Sequence, residues 1–161
     1  MKNDVEIIIA KTKKEFSEAK VLFLEYAKEL NVDLCFQGFD KELREIEIQY
    51  NDPSGILLLL KNKNGFIGCV GLRKINEEIS EMKRMYVKKE FRGKGLSKEL
   101  IKELIRQAKE LKYKSIRLDT LPQMKEAIHL YSSFGFKEIQ PYRFNPVDGT
   151  KYMQLYIHPQ P

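Results

Sequence analysis

Tryptophan is missing from this sequence, and cysteine and histidine nearly are: 161 residues hold only Cys35, Cys69, His129 and His158 of those two types. The cysteines share no paired spacing, so neither a disulfide framework nor a zinc site is written here, and two histidines are too few for a histidine metal cluster. No metal is expected. Long apolar runs are missing as well. The longest, Ile56 to Leu60, has five residues, where a membrane-spanning helix needs about 18. Charge returns early in the opening stretch MKNDVEIIIAKTKK, before a signal-peptide core can form. A cytoplasmic location with no membrane partner is therefore expected. There is no repeat, low-complexity stretch or linker. The chain reads as one domain over residues 1–161, a length that buries roughly two thirds of its unfolded surface.

What is present supports a packed core, with 42% hydrophobic and 11% aromatic residues. The charged fraction, 32%, exceeds the roughly 25% of an average globular protein, and its distribution is uneven. Residues 81–114 hold twelve Lys/Arg against five Asp/Glu, so this segment carries the whole positive excess of a chain whose net charge is +6. A basic segment of this kind fits a solvated helix face, a nucleic-acid surface or a site for a polyanionic small molecule.

The pattern of elements narrows the choice. Val5 to Ala10 reads as a buried strand, and Thr12-Lys-Lys-Glu15 as a capping box opening a helix whose stripe is Phe16, Ala19, Phe23, Tyr26 and Leu30. A second helix carries Phe39, Leu43, Ile46 and Tyr50, with Asp40 as candidate cap, and ends at Asn51-Asp-Pro-Ser-Gly55. Residues 56–61, 66–73 and 79–87 read as an antiparallel meander joined by short turns. A Gly-containing basic loop then leads into Leu100, Ile101, Leu104, Ile105, Ala108 and Leu111 at helical spacing, followed by a strand over 115–119. That is a β-α-β unit, which makes the strands near 82 and 117 parallel neighbours. A helix over 124–134 stopped by Gly135, a short strand at 137–139, a loop over 141–150 and a last strand over 152–157 complete the chain. The fold class is α/β of the α+β type, with a mixed, mostly antiparallel sheet of six or seven strands and helices on both faces.

The informative stretch is Met85-Tyr-Val-Lys-Lys-Glu-Phe-Arg-Gly-Lys-Gly-Leu-Ser97, which runs from a strand end through a glycine loop into a helix. The first amides of a helix have no internal partner and carry the positive end of its dipole, so they can cradle a phosphate that Gly93 and Gly95 allow to approach. A dinucleotide fingerprint would need glycine where Lys98 stands, and a P-loop would need it at Lys88. What remains is Arg92-x-x-Gly95-x-Ser97, a short pyrophosphate-type loop or, read plainly, a basic turn capping an amphipathic helix.

About 25 residues further on come Leu118-Asp-Thr-Leu-Pro122 and Ala127-Ile-His-Leu-Tyr131-Ser-Ser-Phe-Gly135-Phe136. In this combined order the chain resembles the GNAT superfamily of N-acetyltransferases, tightly over residues 66–136 and through element order elsewhere. The resemblance implies acetyl-CoA as cosubstrate, its pyrophosphate on Arg92, Gly93, Lys94, Gly95, Leu96 and Ser97, and its pantetheine arm along Met85, Tyr86 and Val87. Two positions depart from the family pattern: the last small loop residue is Ser97, and an asparagine three residues before the motif alanine is Met124.

The chemistry so implied is direct attack of an unprotonated primary amine on the thioester, with a thiolate leaving that needs a proton. Tyr131 matches the family's acid, with a core tyrosine beside Phe134 and Phe136 as the plain alternative. Glu81 is the candidate base, with an exposed strand carboxylate as its alternative. The resemblance places the acceptor pocket between residues 34–39 and 142–146, making Phe36, Gln37, Arg84 and Asn145 candidate acceptor contacts. Arg73, Arg84 and Arg143 are placed to pair with an acidic acceptor. The acceptor is expected to be a small molecule or an amino-acid-like amine, its identity open, and a homodimer is compatible with the family. His129 reads as a surface residue and Cys69 as buried and inert. Two other functions compete. One is a coenzyme A sensor without transfer, kept open by Met124. The other is a basic nucleic-acid module, disfavoured because the basic segment has only Tyr86, Phe91 and Tyr113 for base stacking.

Overall fold

A computed structural model describes residues 4–34 and 38–157. The elements are β1 (Glu6–Ile9), α1 (Lys13–Leu30), α2 (Phe39–Arg44), α3 (Ile46–Gln49), β2 (Ile56–Asn62), β3 (Gly65–Lys74), β4 (Ile79–Val87), α4 (Leu96–Glu110), β5 (Ser115–Thr120), α5 (Lys125–Ser133), β6 (Lys137–Ile139) and β7 (Lys151–Tyr156). The seven strands form one sheet in the order β1-β2-β3-β4-β5-β7-β6. Only the β4–β5 pair is parallel, joined by α4 as a crossover; the other ladders are antiparallel. No helix among the described residues is long and apolar enough to cross a membrane.

The continuous apolar run Ile56 to Leu60 is explained by helices on both faces, since alternate residues of a strand point to opposite sides. Leu58 and Leu60 join Leu100, Ile101 and Leu104 of α4 on one face. Leu57 and Leu59 join Phe16, Ala19 and Phe23 of α1, with Ile46 and Tyr50, on the other. The capping box of α1 is formed as expected: Thr12 Oγ1 accepts from the Glu15 amide at 3.1 Å, and Glu15 accepts from the Thr12 amide at 2.9 Å.

The expected second helix is broken. Glu45, with φ −105° and ψ 19°, separates α2 from α3, and the residue preceding α2 is Gly38, with φ +69°, rather than Asp40. The break lets Tyr50 turn flat against β3, where a Cβ on Gly71 would stand 2.5 Å from the Tyr50 ring. That close approach is what Gly71 is for.

One local distortion shapes the site. The β3–β4 register shifts between Cys69 and Gly71, whose partners are Tyr86 and Lys83, so β4 carries one extra residue there. Arg84 in this bulge has φ +58°, the left-handed region. Bulges bend a strand and add twist. The parallel ladder accordingly joins Ile79–Glu81 of β4 to Ser115–Arg117 of β5 and goes no further. Beyond it the two strands diverge and leave a gap.

Candidate active site

The gap and the loop after β4 make one continuous site. Gly93 and Gly95 both have φ +79°, and a Cβ on either would meet nothing within 4 Å, so these glycines serve the backbone path and leave the space above them open. Gly95 precedes α4 without any side-chain cap, and the first bond of the turn runs from the Glu99 amide to the Gly95 carbonyl at 3.2 Å. The amides ahead of Glu99 therefore face outward at the positive end of a fifteen-residue helix. They line a groove of about 910 Å³ together with Met85, Tyr86 and Val87 on one side and residues 123–127, His129 and Leu130 on the other. A groove of this size suits an extended ligand.

Most residues expected to hold a coenzyme come together here: Met85, Tyr86, Val87, Arg92, Gly93, Gly95, Leu96 and Ser97 all line the groove. Lys94 does not; its Nζ lies 5.6 Å from the centre of the Phe91 ring, and Lys98 takes the place beside the loop. Exposed His129 borders the groove too. Arg92 donates to the Val87 carbonyl at 2.7 Å and pairs with Glu29 of α1 at 2.6 Å. Arg92 is the main reason the Glu29 carboxyl is held below its usual range. Lys88 faces Glu25 at 3.6 Å in the same way. Burial and the neighbouring Glu29 and Glu25 push the Tyr86 hydroxyl up to about 12.

A second, inner cavity of about 40 Å³ lies in the gap between β4 and β5. It shares Tyr26, Leu30, Met85 and Met124 with the groove. Tyr131 lines it, almost fully buried, with its ring 5.9 Å from that of Phe136. Tyr131 thus both packs in the core, as the plain reading had it, and faces a cavity. Burial raises the pKa of its hydroxyl well above that of an ordinary tyrosine. Arg84 and Asn145 line the same cavity. Phe36 and Gln37 lie outside the described residues. Met124, in the position expected to hold an asparagine, sits at the junction of both spaces.

Glu81 is not the exposed carboxylate considered above. It is fully buried and accepts from Arg73 at 3.0 Å, Tyr142 at 2.6 Å and Arg143 at 2.8 Å. It lines neither the groove nor the inner cavity, so direct contact with an acceptor there is closed to it. Arg73, Arg84 and Arg143 are likewise engaged with internal carboxylates. Arg84 makes a two-pronged pair with Glu42, Nε to Oε2 at 3.0 Å and Nη2 to Oε1 at 2.7 Å, and Tyr50 donates to the same carboxylate at 2.8 Å. Cys69 is buried and its Sγ donates to the Arg84 carbonyl at 3.3 Å; burial pushes its thiol far up, consistent with inertness.

Sequence reasoning missed Glu29, which pairs with the phosphate-type loop, and the buried pair Lys83 and Asp119, 3.6 Å apart in the inner cavity. A signal for Glu29 existed: Glu25 and Glu29 stand four apart on α1, as Lys88 and Arg92 do before α4. For Lys83 and Asp119 none existed, because only the divergence of β4 and β5 creates the space they share.

Comparison with known proteins agrees with this architecture. The model of the acetyltransferase (GNAT) family matches residues 23–136. An uncharacterised N-acetyltransferase of Schizosaccharomyces pombe is 38% identical over 95% of both chains. A GNAT-family acetyltransferase from Staphylococcus aureus superposes with a TM-score of 0.80 at 25% identity, covering 96% of this chain and 99% of that one. The fold is also that of a GNAT-family acetyltransferase from Elizabethkingia anophelis solved with acetyl-CoA bound, with a TM-score of 0.68 at 22% identity over 96% and 99% of the two chains. With the splayed parallel strands, the glycine loop and the helix start already in place, the chain belongs to the GNAT family of acetyltransferases and is an acyltransferase.

Proposed function

We propose that the protein transfers an acetyl group from acetyl-CoA to a primary amine, without a covalent enzyme intermediate. The observation that carries this reading is the adjacency of the two spaces: a groove with a phosphate-suited end shares Tyr26, Leu30, Met85 and Met124 with a small cavity that Tyr131 lines. The donor set fits acetyl-CoA. Outward amides of α4, Arg92 and Lys98 suit the diphosphate, and the unpaired edge of β4 from Met82 onward suits the amides of a pantetheine arm.

When bound, acetyl-CoA supplies an activated acetyl group whose thiolate leaves on amine attack. The β4 backbone at Met85 and Tyr86 holds the reacting end against the inner cavity. Tyr131, kept protonated by burial, donates its hydroxyl proton to the departing thiolate, and the proton the amine sheds as the amide forms returns through solvent water to the tyrosine oxygen. The nucleic-acid alternative loses ground because Lys88 and Arg92, two cations of the basic segment, are matched by Glu25 and Glu29 of α1.

A thermal-shift titration tests the reading. Acetyl-CoA at a hundredfold excess over its dissociation constant should stabilise the fold by about 2.7 kcal/mol, or roughly 5–10 °C, and free thiol should be released on addition of an accepted amine. No shift with acetyl-CoA or CoA rejects the coenzyme site. A shift with no thiol release across a broad amine panel would favour the sensor.

A further inference from the structure

We propose that Tyr26 of α1 is a second catalytic tyrosine, whose hydroxyl donates a hydrogen bond to the thioester carbonyl oxygen of acetyl-CoA and holds that oxygen as it becomes an oxyanion. The inference rests on the transferase reading of the groove and names a further residue for that reaction. Among the described residues, four line both the groove and the inner cavity: Tyr26, Leu30, Met85 and Met124. Under that reading the acetyl carbonyl sits where the two spaces adjoin, among these four side chains. Leu30 has no polar atom and the two thioethers have no donor, so Tyr26 is the one side chain of the four with a hydrogen to give. Position 124, where the family pattern has an amide-bearing asparagine, holds Met124 and contributes none.

The fold fixes this tyrosine over the reacting end of β4. Tyr26 lies half-buried on α1, one turn before Leu30. Its ring meets that of Tyr86 edge-on, with centroids 6.1 Å apart at 78°, and the Arg84 guanidinium carbon stands 6.0 Å from its centre. Arg84 and Tyr86 flank Met85, so the ring is held across the stretch of β4 that borders both spaces. Arg84 is itself locked by Glu42. Burial is the main reason the Tyr26 hydroxyl titrates above an ordinary tyrosine, with Arg84 opposing and Asp119 adding to the shift. The group therefore stays protonated and remains a donor. Burial raises Tyr131 in the same way, with Tyr26 and Asp119 adding, so both hydroxyls sense the same carboxylate and Tyr131 senses Tyr26.

The two tyrosines then serve the two ends of the scissile group. The amine lone pair forms the C–N bond and the carbonyl π pair moves onto oxygen, where the Tyr26 O–H bonds the new charge without giving up its proton. The pair returns, the C–S bond breaks, and the thiolate takes the Tyr131 proton, which the proton shed by the amine replaces through solvent. A donor placed where charge develops stabilises the transition state more than the ground state.

The experiment reads the carbonyl itself. Acetyl-CoA isotopically labelled at the carbonyl carbon is bound to the wild type, to Tyr26→Phe and to Tyr131→Phe, and its C=O stretch is followed by isotope-edited infrared difference spectroscopy. Phenylalanine at position 26 keeps the ring contacts with Tyr86 and Arg84 and lacks only the hydroxyl. A hydrogen bond weakens the C=O bond, so the band should move to higher wavenumber in Tyr26→Phe and stay in place in Tyr131→Phe, whose hydroxyl serves the sulfur. Acetyl-CoA affinity by calorimetry and melting temperature should stay near wild type in both variants. On the amine that the wild type acetylates best, kcat should fall by ~10²–10³-fold in Tyr26→Phe, the loss of one oxyanion donor. An unmoved band in Tyr26→Phe overturns the inference and leaves the transferase reading standing; if affinity drops while the band stays, Tyr26 is a wall of the groove and no more. Failure of the wild type to bind acetyl-CoA would instead remove that reading itself.

Discussion

Arg92 of the loop before α4 grips Glu29 of α1 through both guanidinium arms, Nη1 to Oε1 at 2.6 Å and Nη2 to Oε2 at 2.8 Å, while its Nε donates to the carbonyl of Val87. A carboxylate thus occupies the group best suited to a diphosphate, at the rim of the groove that both residues line. Two-pronged guanidinium pairing is a geometry shared by carboxylates and phosphates. Under the proposed function, coenzyme binding at this loop is an exchange of anions on Arg92, with Glu29 as the competitor of the ligand.

Replacing the competitor should show this. Glu29→Gln removes one negative charge beside the loop and frees Arg92, so the dissociation constant for CoA should fall by about 2–5-fold in low salt, the scale of an exposed ion pair. The gain should shrink as salt screens the site. Isothermal titration at two salt concentrations checks it. Weaker binding in the variant would mean that Glu29 positions Arg92 instead of competing for it.

Gly95 separates backbone strain from ligand clash. Its φ of +79° makes Gly95→Ala cost about 1 kcal/mol of stability, but a new Cβ meets no protein atom. A fall in CoA affinity beyond ~10-fold, in a protein that still melts cooperatively, would then come from the ligand's approach to this backbone. Gly65→Ala, strained in the β2–β3 hairpin with φ +140° and equally open, should destabilise without changing affinity. Equal affinity losses in the two variants would remove the diphosphate from the loop.

Much of this was legible in the sequence because each signal was local. The capping box at Thr12, the two-faced run at Leu57 to Leu60 and the glycine loop before α4 each state their structure within a few residues. The α2–α3 break was not legible, since it answers the packing of Tyr50 over Gly71 across the chain. Glu81 read as a candidate base or an exposed strand carboxylate because its three donors come from β3 and from the 142–143 loop, too distant in sequence to pair by eye. Arg84 read as a free cation for the same reason: its partner Glu42 lies forty-two residues away.

Tyr131→Phe keeps the ring against Phe136 and deletes only the hydroxyl. If that group protonates the departing thiolate, kcat should drop by ~10²–10⁴-fold while CoA affinity and melting temperature stay near wild type. Burial raises the pKa of this tyrosine, so its proton is retained where an ordinary tyrosine near 10 would begin to lose it. The wild-type rate should accordingly show no decline from this group between pH 8 and pH 10. Unchanged turnover in a folded Tyr131→Phe protein would assign the residue to packing alone.

The Glu42–Arg84 pair should set both acid stability and the shape of β4. Burial works to raise the Glu42 carboxyl, but Arg84, Arg73 and Lys83 outweigh it and hold the group below the usual carboxylate range. A carboxyl whose folded pKa lies below its unfolded value of about 4.3 stabilises the fold fully above that value, and the contribution disappears as pH falls through the lower, folded one. Glu42→Gln keeps the side-chain shape and leaves Arg84 buried without its counter-ion, so unfolding free energy at pH 7 should drop by ~3–5 kcal/mol. Urea denaturation across pH 3–7 should find that loss largest near neutrality and shrinking below pH 4. Because Arg84 holds the left-handed position in the bulge, the same variant should weaken CoA binding at Met85 and Tyr86, which it does not touch. A loss under about 1 kcal/mol, in the range of an exposed pair, together with unaltered CoA affinity, would mean that backbone pairing with β3 sustains the bulge and that the ion pair is incidental to it.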